Sequence, residues 1–255
     1  MLVEEEWWEM TRLYHQKTLL KASEGFAAWQ LDAFQLFKNK MLDKHQRFPC
    51  IPATQGFALN QFKYGFVHWG EDTAKQLAGL LKEYASHSRN YGKYTSLIVF
   101  FGDFKQSDVP NDVDDYYTLF WNLLNDVSQL DEESWPEQIP TDPKEPLWQF
   151  CYNGEALFVY CGTPAHQKRK SRHFPYFMLA ITPRWVFEAF REVPKHANNI
   201  QKKIHERLEK YDTIEIHPEL KTYGYHDNFE WKQYFFRDDN NTPLACPFVK
   251  TKQED

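Results

Sequence analysis

The chain has 255 residues and a formal net charge of −6, so no global attraction draws it to nucleic acid or to an anionic membrane surface. It holds no apolar run of the roughly eighteen residues that a membrane span needs, and MLVEEEWWEM at the N-terminus is acidic where a secretory leader is basic. A cytoplasmic protein is therefore expected, and its aromatic content of 17% suits either a large core or a flat apolar ligand pocket.

In chain order, LDAFQLFKNKML sets Leu31, Phe34, Phe37 and Met41 on one helical stripe. DTAKQLAGLLKEY repeats the pattern, with Asp72 as candidate N-cap. SLIVFF is a continuous apolar run, as for a strand covered on both faces. NDVDDYYTLFWNLLNDVSQL is helical, with acidic residues in the first turn where the helix dipole favours them. The Pro- and acid-rich DEESWPEQIPTDPKEP reads as a surface connector. LWQFCYNGEALFVYC predicts two strands around an Asn153-Gly154 turn, placing Cys151 opposite Ala156. FPYFMLAI predicts the next strand. Thr182-Pro183 then opens a helix, and Pro194 separates it from a second whose Ala197, Ile200, Ile204, Leu208 and Tyr211 share one face. Hairpin-linked strands bracketed by helices predict an α+β fold with a mainly antiparallel central sheet and helices packed around it. One domain is expected over 1–255, with a helical N-terminal segment at 1–44 and a core over about 45–250.

GTPAHQKRKSRHFP at 162–175 follows a buried strand and carries four Lys and Arg residues with no acidic neighbour. Such a loop would clamp a phosphate or a carboxylate, or else be a solvated loop balanced by the acidic connector. His205 and Glu209 lack the second His of a zinc-protease helix and read as an exposed i,i+4 pair. The cysteines at 50, 151, 161 and 246 form no Cys-x-x-Cys, so free thiols are expected; Cys50 is either a thiolate ligand or nucleophile, or a buried inert thiol. No Gly-x-Gly-x-x-Gly, Walker loop or Gly-x-Ser-x-Gly occurs, and basic patches with interleaved aromatics are too sparse for nucleic-acid binding.

Taken together, FPC at 48–50, WP at 135–136, TPAHQKRKSR at 163–172, PR at 183–184, YD at 211–212, HPELKTYG at 217–224, EWKQY at 230–234 and CPF at 246–248 resemble the YqcI/YcgG family, closest to its bacillus-type members. The resemblance implies a haem-dependent monooxygenase that hydroxylates a guanidino nitrogen of arginine or an arginine-like amino acid. It would use dioxygen and electrons from an external donor or reductase. It also implies non-covalent protohaem (haem b), with His166 as axial ligand and Cys50 as the alternative. Lys168, Arg169 and Arg172 would then hold the propionates, and Glu230 the guanidinium. A haem carrier or sensor without catalysis, and a haem-free binder of a small anionic metabolite, are the rival readings.

Overall fold

The computed structural model describes residues 12–22, 24–191, 194–221 and 228–249. Six strands form one sheet among these residues: β1 (Tyr14–His15), β2 (Lys63–His68), β3 (Leu97–Gly102), β4 (Phe150–Tyr152), β5 (Glu155–Gly162) and β6 (Phe177–Pro183). Their order across the sheet is β1-β2-β3-β6-β5-β4. All pairings are antiparallel except β2 with β3. The helices are α1 (Gln16–Lys21), α2 (Ala28–Leu42), α3 (Ile51–Ala58), α4 (Thr73–His87), α5 (Val113–Ser128), α6 (Arg184–Arg191) and α7 (Pro194–Tyr211). The protein is α+β, as the sequence predicts.

The hairpin forms where expected. Asn153 and Gly154 both take positive φ, +50° and +73°, the twist that a two-residue turn between antiparallel strands requires. Cys151 accordingly pairs with Ala156. The parallel pair is new information: KYGFVH is a buried strand, and α4 crosses over from β2 to β3. Gly65 makes that crossover close, because a Cβ there would sit 2.6 Å from Leu80 Cδ1. The N-terminal segment is also not wholly helical, since Tyr14 and His15 add an edge strand to β2.

The first turn of α5 carries Asp114 and Asp115 as expected, while capping departs from expectation in two helices. Asp112 caps α5, its carboxylate accepting from the N–H groups of Asp114 and Asp115 at 2.9 Å each. Asp72 stands at the N-cap of α4, but its carboxylate pairs with Lys75, and the Thr73 hydroxyl bonds Gly70 instead. Pro183 ends β6 rather than opening a helix, and Thr182 shares a hydroxyl bond with Ser96 across the sheet. The acidic connector folds back on itself: Trp135 Nε1 donates to the Ile139 carbonyl, and Ile139 packs against Cys151 and Ala156.

The pleat divides the sheet into two faces. Val99, Phe101, Leu157, Val159, Leu179 and Ile181 pack under α4 and α5 in the larger core. The other face presents Ile98, Phe100, Tyr160, Met178 and Ala180 toward α2, whose Phe34, Phe37 and Met41 form the predicted stripe. Burial of these side chains at roughly 25 cal/mol per Å² is the main force fixing both layers.

Candidate functional site

The second face is not filled. A cavity of about 340 Å³ lies between it, α2, the start of α3, α7 and the segments 216–221 and 230–236. That volume is within the roughly 300–1,000 Å³ of small-ligand pockets. The small side chains Ala180 and Thr182 of β6 leave space beneath, and Ala197, Ile200, Ile204 and Leu208 of α7 look into it from above. The predicted apolar stripe of α7 therefore remains half-buried, while Tyr211 at its end packs fully against Phe48. Into a mainly apolar wall the chain sets, among other polar groups, Lys40, Cys50, Arg169, Arg172, Asp212, His217, Lys221 and Glu230.

The basic loop has its acids after all, delivered from distant sequence. Asp238 accepts from the N–H groups of Gln167, Lys168 and Arg169 at 2.6, 3.0 and 2.9 Å. Burial pushes its pKa up, but these N–H bonds outweigh that and hold it below the usual carboxylate range. Asp212 accepts from the Ser171 N–H and hydroxyl at 2.6 and 2.8 Å, with burial holding its carboxyl above the ordinary value. The loop is thus an anion-binding concavity already occupied by the protein's own carboxylates.

Both arginines point inward. Arg169 donates through Nε, Nη1 and Nη2 to the carbonyls of Arg237, Glu215 and Asp239 and to Asn240 Oδ1. Arg172 donates to the carbonyls of Cys161, Gln233 and Tyr234, its guanidinium 4.2 Å from the Tyr160 ring centroid and 4.7 Å from that of Phe236. Lys168 is exposed and does not line the cavity. Its backbone, not its ammonium, fixes the loop, by accepting from Thr213.

His166 is buried, and both ring nitrogens are engaged: Nε2 with the Phe236 carbonyl at 2.7 Å, Nδ1 with the Thr163 hydroxyl at 2.8 Å. It does not line the cavity. Burial pulls its pKa down to about 4, so the imidazole is neutral, donating to Phe236 and accepting from Thr163. Nε2 carries the proton and the Nδ1 lone pair is taken by the Thr163 hydroxyl, so neither nitrogen is offered to a metal in this arrangement. Because the unfolded chain takes up a proton below about pH 6.5 that the folded ring refuses until about pH 4, stability from this residue is present above that window and lost on descending through it. The loss amounts to about 3 kcal/mol. His166→Gln keeps a donor and an acceptor without titrating. Urea unfolding across that range should show a shallower loss of stability in this variant than in the wild type.

Cys50 does line the cavity, at the N-cap of α3. Burial pushes its thiol pKa up, opposed by the Ala53 N–H and the guanidiniums of Arg172 and Arg207. Glu230 is buried in the turn Glu230–Gln233 and accepts from Asn228 Nδ2 at 2.8 Å. The structure thus brings Cys50, Arg169, Arg172 and Glu230 to one cavity and leaves His166 and Lys168 outside it. Of the HPELKTYG motif, His217 joins the wall, stacked on Phe236 with centroids 4.2 Å apart, and burial lowers its pKa to about 4. Residues 222–224 of that motif lie outside the described residues. His205 faces the cavity while Glu209 is exposed, and no cluster of three His, Cys, Asp or Glu side chains able to hold a metal occurs among the described residues.

Lys40, Asp212 and His217 are wall residues that no local signal in the sequence marks. Lys40 sits among ordinary helix-surface polar residues, and the YD and HPEL motifs carry no spacing that points to a site.

These features define an α+β protein with a mostly apolar, ligand-sized cavity whose walls hold a thiol, four Lys and Arg side chains, the half-buried Asp212 carboxylate and the buried Glu230 carboxylate. The chain belongs to the YqcI/YcgG family, whose model matches residues 37–249. It is 48% identical over 245 residues to the uncharacterized protein YqcI of Bacillus subtilis (strain 168), covering 95% of this chain and 96% of that one. Identity to the uncharacterized protein YcgG of the same organism is 42% over 248 residues, covering 94% and 96%. A Streptomyces lavendulae protein provisionally named N(omega)-hydroxy-L-arginine synthase DcsA is 29% identical over 229 residues, covering 87% and 84%. No solved structure matches. No helix among the described residues is long and apolar enough to cross a membrane.

Proposed function

We propose that the protein is a haem-dependent N-oxygenase that hydroxylates a guanidino nitrogen of arginine or an arginine-like amino acid inside this cavity. The observation that carries the reading is the Cys50 thiol on an aromatic-lined wall beside buried guanidinium groups, in a chain similar to the provisionally named N(omega)-hydroxy-L-arginine synthase. The donor set fits protohaem: apolar walls for the macrocycle, a thiol for iron, and cations near its carboxylates. Cys50 takes the ligand role in preference to His166, whose nitrogens are committed to Phe236 and Thr163. When bound, the haem would supply dioxygen activation at iron.

The chain's own residues do the rest. Arg172, Arg207 and the α3 N-terminus favour the Cys50 thiolate, which metal binding requires and burial opposes. Glu230, on the cavity wall, would fork to the substrate guanidinium and hold it there. The apolar faces of α7 and the sheet exclude water from the reacting nitrogen. In the net reaction one oxygen atom enters an N–H bond and the other leaves as water, with two electrons and two protons from an external donor.

Hemin titration with an absorption spectrum tests this. Wild-type protein and His166→Gln should both gain the same Soret band, and Cys50→Ser should lose or shift it. Haem-loaded protein given a reductant should convert L-arginine to a product heavier by one oxygen atom. Protein that stays colourless would instead support a haem-free binder of an anionic metabolite, for which the cationic wall is equally suited.

A further inference from the structure

The cations of the cavity wall are not equivalent. Arg169 and Arg172 direct their guanidiniums at main-chain carbonyls and hold the 166–173 loop against the 233–240 segment. Lys40 differs. It reaches from the last turn of α2 to the cavity rim, where Nζ donates to the carbonyls of His173 at 2.8 Å and Lys170 at 3.2 Å. An ammonium has three N–H donors, so one is left. The rings of Phe48 and Tyr211 flank it, with centroids 5.5 and 5.3 Å from Nζ.

No ion pair to Lys40 occurs among the described residues. The carboxylate that acts on it electrostatically, Asp212, has both oxygens committed to Ser171. A half-buried cation with a donor to spare, beside a mainly apolar cavity, is a seat for a ligand's negative group.

We propose that the Lys40 ammonium receives a carboxylate of the molecule that fills this cavity. The proposal rests on the functional reading above, which offers two sources of that one chemistry: a haem propionate, or the α-carboxylate of the amino-acid substrate. Lys40 is then a binding residue that fixes which way round the ligand lies. Burial lowers its pKa to about 8, with Asp212 pulling the other way, so the seat is charged at neutral pH and empties of charge above that value. The titratable groups packed around it are Tyr211 at the end of α7, Asp212 just past it, and His173 and Lys170 in the loop, with Arg172 on the same cavity wall.

The test compares wild type with Lys40→Met and Lys40→Arg, and with Lys38→Met as a control on the same helix. The probes are hemin against hemin dimethyl ester, then L-arginine against its decarboxylated analogue agmatine. If a propionate is the partner, Lys40→Met weakens hemin about tenfold or more and leaves the diester unchanged. If the substrate carboxylate is the partner, Lys40→Met leaves hemin unchanged, weakens L-arginine by a similar factor, and spares agmatine. In either case Lys40→Arg retains most of the affinity, Lys38→Met behaves as wild type, and wild-type affinity for the carboxylate-bearing probe falls as pH rises through about 8.

That pH profile also decides the matter if Lys40→Met does not fold. Wild-type protein that binds hemin or L-arginine, with Lys40→Met indistinguishable from it or with no pH response, overturns the Lys40 assignment alone. Wild-type protein that binds neither probe overturns the functional reading and this assignment together.

Discussion

Arg172→Met is expected to cost about 3 kcal/mol of folding stability, read as a lower urea midpoint with an unchanged slope. The guanidinium is buried and bonds three carbonyls from two separate segments: Cys161 near the end of β5, and Gln233 and Tyr234 at the end of the Glu230–Gln233 turn and just past it. Met fills much of the space between Tyr160 and Phe236 but donates nothing. The Tyr234 carbonyl keeps a second donor, the Cys161 N–H at 3.1 Å, whereas no other donor to the Gln233 carbonyl is present within the described hydrogen bonds. Removing a buried cation relieves some desolvation, which is why the expected loss is below the sum of three charged hydrogen bonds. Arg172→Lys should recover less than half, because one ammonium cannot reproduce a planar fork aimed at two segments. A variant as stable as wild type but deficient in ligand binding would show instead that Arg172 is chiefly a ligand clamp.

Ala180→Phe is expected to abolish ligand binding, by a factor of about a hundred or more, while leaving stability within roughly 1 kcal/mol. Ala180 lies on β6 between Ile98 of β3 and Tyr160 of β5, its side chain toward the cavity. A larger side chain at a close-packed position normally costs stability through strain. Here about 340 Å³ of unfilled space receives the ring, and the apolar area it buries offsets residual crowding. Thermal unfolding together with hemin and L-arginine titrations reads both quantities. Retained saturable binding would place the ligand elsewhere than over the β3–β6–β5 face.

The two variants separate roles that the sequence leaves merged. GTPAHQKRKSRHFP reads as a knot of cations without acids, and the structure resolves it into two exposed lysines, two inward-turned arginines and, at His166, a neutral histidine. The acids that balance it are Asp212 and Asp238, the latter 69–71 residues from the N–H groups it accepts. No window of local sequence contains that pairing, so charge counting within the loop could not find it. The same limit applies to His166: its Nε2 bond to the Phe236 carbonyl spans 70 residues. A histidine read without its partners looks like an available ligand.

What the sequence determined by itself were features whose physics is local. The Asn153-Gly154 turn needs two residues that tolerate positive φ, acidic residues fill the first turn of α5 beside its N-terminal dipole, and the helical stripes at 31–41 and 197–211 follow a period within one element. The motif set likewise carried the family, and the hairpin-linked strands bracketed by helices carried the α+β class. Tertiary structure alone decided what depends on contacts between distant segments. It paired β2 with β3 in parallel, because a strand's direction relative to a remote neighbour is not written in its own alternation. It left the α7 stripe over a cavity rather than a solid core, because small residues on β6 and apolar ones on α7 meet only in three dimensions. And it put Cys50 and Lys40, not His166 and Lys168, on the wall where a ligand would lie.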